Sequence, residues 1–168
     1  MSTSTQEKRT ELSDSQKKFI APFVKMTKDV FSMMLGWQVD LIGVLTNDTS
    51  APRHDCSGIV GLSGAIRGSV VISVDQEVAI CAAGSFIGER PDSINSDVID
   101  TVGELANMIG GASKDKMGIP GISLGLPTVV TGKDHRVSFE PGAHVEMLQF
   151  SSPHGPLTVE IAVVGLVL

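Results

Sequence analysis

The chain has 168 residues, a net charge of −6, 42% hydrophobic residues and two cysteines. This length favours a single domain. The acidic balance argues against a nucleic-acid-binding protein, whose surface would be basic. Neither a membrane-spanning run of roughly 18 apolar residues nor the apolar core of a signal peptide is found. We therefore expect a cytoplasmic protein that binds neither nucleic acid nor membrane.

The chain is predicted to begin with a tail and a helix. Residues 1–15 are rich in Ser, Thr and charge, which is typical of a mobile tail and leaves residues 16–168 as one domain. Apolar residues at helical spacing then predict a helix over residues 21–35. Pro22 is expected in its first turn, and Gly36 is expected to end it.

Strands are predicted after this helix. Alternating apolar residues over 37–46 predict one strand, and residues 47–55 have the composition of a loop. Residues 58–65 and 69–74 predict a β-hairpin, in whose turn Gly68 is able to adopt a positive φ.

Two helices and three strands are predicted next. Asp75 is expected to cap a helix that ends near Ile87. A motif helix is expected to begin between residues 93 and 96 and to continue to about Lys116, before Gly118 ends it. Strands follow at 126–132, 144–151 and 157–168. This order predicts an α+β fold, with a mixed, largely antiparallel sheet and helices packed on one face.

A polar stripe on the motif helix is the main functional candidate. At about 3.6 residues per turn, one face carries Asp100, Glu104, Asn107, Gly111 and Lys114, and the opposite face is apolar. Asparagine and two consecutive glycines weaken a helix, so they need another reason to be there. The stripe suits a helix that presents a carboxylate and an amide to another molecule's active site. A solvated polar face remains the alternative.

Other chemistry has weaker support in the sequence. The glycines do not match a phosphate-binding loop, and no Gly-x-Ser-x-Gly elbow is present. His54 and Cys56 are two residues apart, but no second pair at metal-ligand spacing accompanies them. The other histidines lie in or beside predicted turns and strands, and two cysteines do not make a disulfide framework.

The stripe resembles a known motif. The pattern Asp100-x-x-x-Glu104-x-x-Asn107, followed by Gly111, is similar to the signature helix of the CheC/CheX/FliY group of chemotaxis phosphatases. Three other segments, 23–43, 61–71 and 124–132, resemble the group's first helix and strand, its hairpin and the strand after the signature helix. The similarity covers roughly residues 20–168. A single signature helix favours the CheX-like branch, although Pro127 follows Asn107 sooner than the group's pattern has it.

This resemblance implies a CheC/CheX-like fold and a function. The protein would hydrolyse the aspartyl phosphate of a CheY-like response regulator, in chemotaxis or two-component signalling. Glu104 would pair with the receiver's active-site lysine and Asn107 would orient the attacking water. Asp100, Gly111 and Lys114 would support the pair or contact the partner. The receiver would bring its own Mg²⁺, the chain would have no cofactor or metal of its own, and a homodimer is expected.

Two other functions stay open. The chain could be a noncatalytic binding module of the same fold that docks a receiver domain or a flagellar or signalling partner. It could also be a purely structural α+β domain. The presence of both Glu104 and Asn107 favours the phosphatase.

Overall fold

A computed structural model describes residues 11–48, 54–166 and 168. No helix in these ranges is long and apolar enough to cross a membrane. The elements are α1 (Asp14–Val30), a π-helix (Phe31–Leu35), β1 (Asp40–Thr46), β2 (Cys56–Gly64), β3 (Arg67–Val74), α2 (Gln76–Ile87), α3 (Ser96–Met117), β4 (Ile122–Leu124), β5 (Thr128–Thr131), β6 (His144–Ser152) and β7 (Gly155–Val164).

The seven strands form one sheet in the order β1-β6-β7-β3-β2-β4, and β5 also pairs with β2. Every pairing among the described strands is antiparallel, so the predicted sheet is correct in its main feature and contains no parallel pair there. Alternate strand residues form the core beneath the helices, among them Val60, Val70, Ile72, Val159 and Ile161. The predicted α+β class, with helices on one face, is confirmed.

The first helix begins earlier than predicted. Ser13 and Gln16 form a reciprocal capping box, in which the Gln16 backbone donates to Ser13 Oγ (3.1 Å) and the Ser13 backbone donates to Gln16 Oε1 (2.9 Å). The expected tail is therefore wrong for residues 14–15, and residues 1–10 lie outside the described part. Pro22 stands inside the helix and not in its first turn. Buried residues on both sides, including Phe19 and Phe23, hold the helix together across it.

Two glycines of the β2–β3 hairpin have roles that differ from the prediction. The positive φ belongs to Gly64, at 95°, and not to Gly68. Gly68 pairs with Leu62 in the ladder, and a Cβ there would overlap the carbonyl oxygen of Ala162 on β7. Glycine is needed at 68 because β7 passes so close. The predicted loop over 47–55 falls partly on residues 49–53, which lie outside the described ranges.

Helix α3 lies against β2 at short range. A Cβ at Gly58 would be 2.8 Å from the Cβ of Ala106 and 2.9 Å from the carbonyl oxygen of Val102. Only glycine fits between the strand and the helix at this separation. Gly58 therefore sets the height of α3 above the sheet, and α1 and α2 pack against α3 within the helical layer.

The connection from β5 to β6, residues 132–143, crosses the other face of the sheet. Ser57 points away from α3 because its neighbour Gly58 points toward it, and Ser57 Oγ lies 2.7 Å from His135 Nε2. Further along, Glu140 forms a bidentate ion pair with Arg67 on β3, at 2.6 and 2.9 Å. These two contacts fasten the connection across β2 and β3.

Candidate functional site

Helix α3 carries the candidate residues and is well capped at both ends. It begins after Asn95, whose side chain accepts a hydrogen bond from the Val98 backbone at 3.1 Å. It ends at Gly118, whose φ of 66° stops the helix. Both predicted ends are confirmed, and the helix has 22 residues.

The polar stripe is on the outer side of α3. Asp100 and Glu104 are exposed, while Asn107, Gly111 and Lys114 are partly buried. The opposite stripe is buried and consists of Val98, Val102, Leu105 and Ile109. The packing of the apolar stripe thus turns Glu104 and Asn107, one helical turn apart, toward the surface.

The functional groups of the stripe are mostly unengaged. In the described part of the chain, the side chains of Asp100, Glu104 and Asn107 form no hydrogen bond or ion pair. Lys114 differs, because its ammonium lies 3.0 Å from the carboxylate of Asp115. A carboxylate that accepts and an amide that both donates and accepts are therefore available to another molecule.

The turn between β4 and β5 borders this stripe. A Cβ at Gly103 would lie 3.8 Å from Pro127, and one at Gly111 would lie 3.6 Å from the Leu124 side chain. Asn107 is one turn from each of these glycines. Residues 124–127 therefore run beside α3 at the level of Asn107, and Pro127 belongs to the wall of the site.

The histidines have structural partners. His135 Nδ1 lies 2.7 Å from the carbonyl oxygen of Gly132, and its Nε2 lies 2.7 Å from Ser57 Oγ. The His154 ring packs against Trp37 in a tilted arrangement, with centroids 4.5 Å apart. None of these contacts involves a residue of α3.

A buried carboxylate that the sequence did not predict lies on the helix-covered face of the sheet, near its β1 edge. Glu146 on β6 is fully buried and accepts hydrogen bonds from Gln16 (3.0 Å), Thr46 (2.7 Å) and His144 (2.7 Å). It joins α1, β1 and β6. The sequence shows only a carboxylate in a strand, because its partners depend on which strands become neighbours.

His54 is partly buried and Cys56 is buried. Burial lowers the pKa of His54 and raises the pKa of Cys56 to about 11, so Cys56 is a neutral thiol near pH 7. Asp55 accepts a hydrogen bond from the Gln76 backbone at 3.0 Å. Across the described residues, no group of three or more His, Cys, Asp or Glu is placed to hold a metal ion.

A shallow cavity of about 230 Å³ lies away from the stripe and is lined by Cys81, Gly84, Ser85, Arg90 and His154. The Arg90 guanidinium in this cavity is already ion-paired, because it donates to both carboxylate oxygens of Glu77 at 2.9 and 3.0 Å. These hydrogen bonds lower the pKa of Glu77. The cavity therefore shows no free charged group for a ligand.

Comparison with known proteins gives the chain a family. The family model described as "Chemotaxis phosphatase CheX" matches residues 56–151, which is more than half of the chain and includes the whole of α3. The CheY-P phosphatase CheX of Thermotoga maritima is 28% identical over 87 residues. That match covers 50% of this chain and 56% of the relative, so it spans little more than half of the relative's length.

Solved structures share the fold. The chemotaxis protein CheX from Vibrio vulnificus has a TM-score of 0.81 and 29% identity, over 88% of this chain and 99% of that one. The CheX chain in the CheX–CheY–BeF3–Mg²⁺ complex from Borrelia burgdorferi has a TM-score of 0.71 and 25% identity, over 86% and 97%. With the family match and the α3 motif inside it, the chain belongs to the CheX family of chemotaxis phosphatases.

Proposed function

We propose that this protein hydrolyses the aspartyl phosphate of a CheY-like response regulator, in chemotaxis or another two-component pathway. The observation that carries the proposal is the unengaged pair of Glu104, which is exposed, and Asn107, which is partly buried, on α3 of a CheX-family chain. The Thermotoga relative is a CheY-P phosphatase, and the Borrelia relative was crystallised with CheY. Both support a phosphorylated receiver as the substrate.

The two side chains suit the chemistry of this hydrolysis. Phosphoryl transfer depends mainly on positioning and on charge stabilisation, and the attacking water must stand in line with the phosphorus. The Asn107 amide can both accept from and donate to that water, which fixes its orientation. The Glu104 carboxylate would pair with the receiver's active-site lysine and set the register of the complex.

The remaining residues of the stripe have supporting parts in this proposal. Asp100, one turn before Glu104, adds negative charge on the side that the receiver's lysine approaches. Gly111 leaves room for the receiver beyond Asn107, and Lys114 offers a cation at the far end of the stripe. None of the three touches the reacting atoms in this mechanism.

Magnesium belongs to the receiver in this scheme. The Borrelia complex contains Mg²⁺ together with CheY and BeF3. In our proposal the receiver's own acidic residues hold the ion, and this chain contributes only the positioning groups of α3.

We also propose that the protein is a homodimer that acts in the cytoplasm. Strand β1 is the last strand of the sheet on one side, and Ile42 on it is 58% exposed. A terminal strand with apolar residues is suited to pairing with a second copy. Light scattering over a range of concentrations tests this, and a mass of one chain at every concentration would contradict it.

The phosphatase proposal is tested with phosphorylated CheY-like receivers from the same genome. The rate of receiver dephosphorylation is followed with and without the protein, at saturating Mg²⁺. We expect clear acceleration with at least one receiver. Binding without acceleration would favour the noncatalytic docking module, and no acceleration with any cognate receiver would overturn the enzyme.

A further inference from the structure

The turn between β4 and β5, residues 125–127, holds an exposed apolar side chain beside the motif. Leu126 is 92% exposed, the highest value among the large hydrophobic residues of the described chain. Pro127 on one side of it lies against α3 at Gly103, and Leu124 on the other side lies against Gly111. Leu126 is therefore placed along the Asn107 turn of α3.

This turn is fixed to the sheet on both sides. Leu124 pairs with Leu62 and Thr128 pairs with Ile59, both on β2. Within the turn, the backbone N–H of Gly125 donates to the carbonyl oxygen of Gly61 at 2.8 Å. The proline ring further limits the backbone. The exposure of Leu126 is thus a property of a fastened turn and not of a loose loop.

Single exposed leucines are ordinary on protein surfaces. Leu126 differs because the residues on either side of it lie against Gly103 and Gly111 of α3. This is the helix whose Glu104 and Asn107 side chains have no partner within the described chain. Protein interfaces commonly combine polar contacts with an apolar residue that is desolvated at their centre. The α3 stripe supplies the polar contacts, and the β4–β5 turn supplies the apolar residue.

We propose that Leu126 is a docking residue that packs on an apolar patch of the receiver next to its phosphorylated aspartate. This inference rests on the proposed function, since the partner is the same receiver. Glu104 and Asn107 then act on the reacting centre, while Leu126 contributes binding that is the same before and during the reaction. It determines which receivers bind well, according to the side chains around their phosphorylation sites.

The test uses the full chain and a receiver loaded with beryllofluoride and Mg²⁺, which together mimic the phosphorylated state. Affinity is measured by titration, and kcat and KM are measured with the phosphorylated receiver. We expect Leu126→Ala to raise Kd and KM by about tenfold, with kcat within about twofold of the original. Leu126→Met should keep most of the affinity, because it keeps an apolar side chain of similar size.

Met33→Ala is the matched control. Met33 is 81% exposed on the π-helix, which contacts α1 and α2, so its truncation should leave Kd, KM and kcat unchanged. Equal Kd and KM for the original and Leu126→Ala would overturn the inference. So would a lower kcat at unchanged KM, or a loss of dimer at unchanged Kd, which would assign Leu126 to the contact between copies.

The same measurements separate this inference from the proposed function. Tight binding of the loaded receiver without dephosphorylation would overturn the phosphatase, while the Leu126→Ala affinity would still decide the docking role. If the original protein neither binds nor dephosphorylates any cognate receiver, both proposals fail together. Dephosphorylation that Leu126→Ala leaves intact at every receiver concentration overturns the docking role alone.

Discussion

Glu104 and Asn107 differ in what their removal should do. Asn107→Ala takes away the group that orients water and leaves the carboxylate that sets the register. We expect turnover to fall by about 100-fold while affinity for the beryllofluoride-loaded receiver changes little. The helix itself should be slightly stabilised, because alanine is a better helix former. Single-turnover dephosphorylation and titration measure the two quantities, and a parallel loss of both would contradict the water-positioning role.

Reversal of the charge at Glu104 should affect docking directly. Glu104→Lys would place a cation opposite the receiver's lysine, so we expect binding to be lost through like-charge repulsion. Since Glu104 is exposed, the circular dichroism spectrum and Tm should be unchanged. Glu89→Lys, at another exposed site, makes the same change in net charge and should bind normally. Strong binding by Glu104→Lys would rule out the proposed ion pair.

For single residues, the sequence correctly predicted which face a side chain occupies where this depends only on the residue's position in its own helix. The spacing of Asp100, Glu104 and Asn107 predicted one polar face, because 3.6-residue periodicity is local. It said nothing of Leu126, which was assigned to the start of a strand, or of Glu146. The roles of both depend on residues far away in the chain, which only the folded arrangement brings together.

Among the elements, α3 contains two consecutive glycines, Gly110 and Gly111. Their effect on helix stability can be measured separately from their effect on receiver binding. A Cβ at Gly110 or at Gly111 would make ordinary contacts with Leu124, at 3.4 and 3.6 Å. Each change to alanine should therefore stabilise the helix by up to about 1 kcal/mol. Gly110 is buried and Gly111 only partly so. If Gly111 provides clearance for the receiver, only Gly111→Ala should also raise KM.

Thermal unfolding and dephosphorylation kinetics of the two variants test this. Gly110→Ala is the control, since its new methyl group would face the chain's own core. A rise in Tm for both variants, with unchanged KM for both, would remove Gly111 from the partner contact.

Gly58 lies at the contact between β2 and α3, so a larger residue there should disturb the position of the helix that carries the candidate site. Gly58→Ala should push α3 away from the sheet and destabilise the fold by about 1–3 kcal/mol. Activity should fall too, because the Glu104–Asn107 pair moves with the helix. Gly61→Ala lies on the same strand, where a Cβ would meet nothing within 4 Å, and should be nearly neutral. Urea unfolding measures both, and equal stability would contradict the packing argument.

The elements show why some boundaries were predictable. Asp75, Gly36 and Gly118 were expected to cap or end helices, and each does so, because capping is decided within a few residues. The start of α3 was expected between residues 93 and 96, and Asn95 is its cap. The start of α1 was missed because Pro22 suggested a first turn. Tertiary packing of the residues around it outweighed the local cost of the proline. Strand β4 was missed because three residues give too short a pattern.

For the whole molecule, the fold class followed from the order of helices and strands, but the order of strands within the sheet did not. Strand β1 pairs with β6, although about a hundred residues separate some of the paired positions, such as Thr46 and Glu146. The crossing of residues 132–143 over the second face was equally hidden. No local pattern identifies His135 as the partner of Ser57, and both facts depend on long-range pairing.

The strand order has one further consequence for a dimer formed through β1. Helix α3 packs against strand β2. Strand β2 is four strand positions from β1, or roughly 19 Å at about 4.8 Å per strand. Two copies joined edge to edge at β1 would hold their α3 helices roughly 40 Å apart, more than the roughly 30 Å width of a small domain. Each copy would then have room for its own receiver, and the two receivers would not touch.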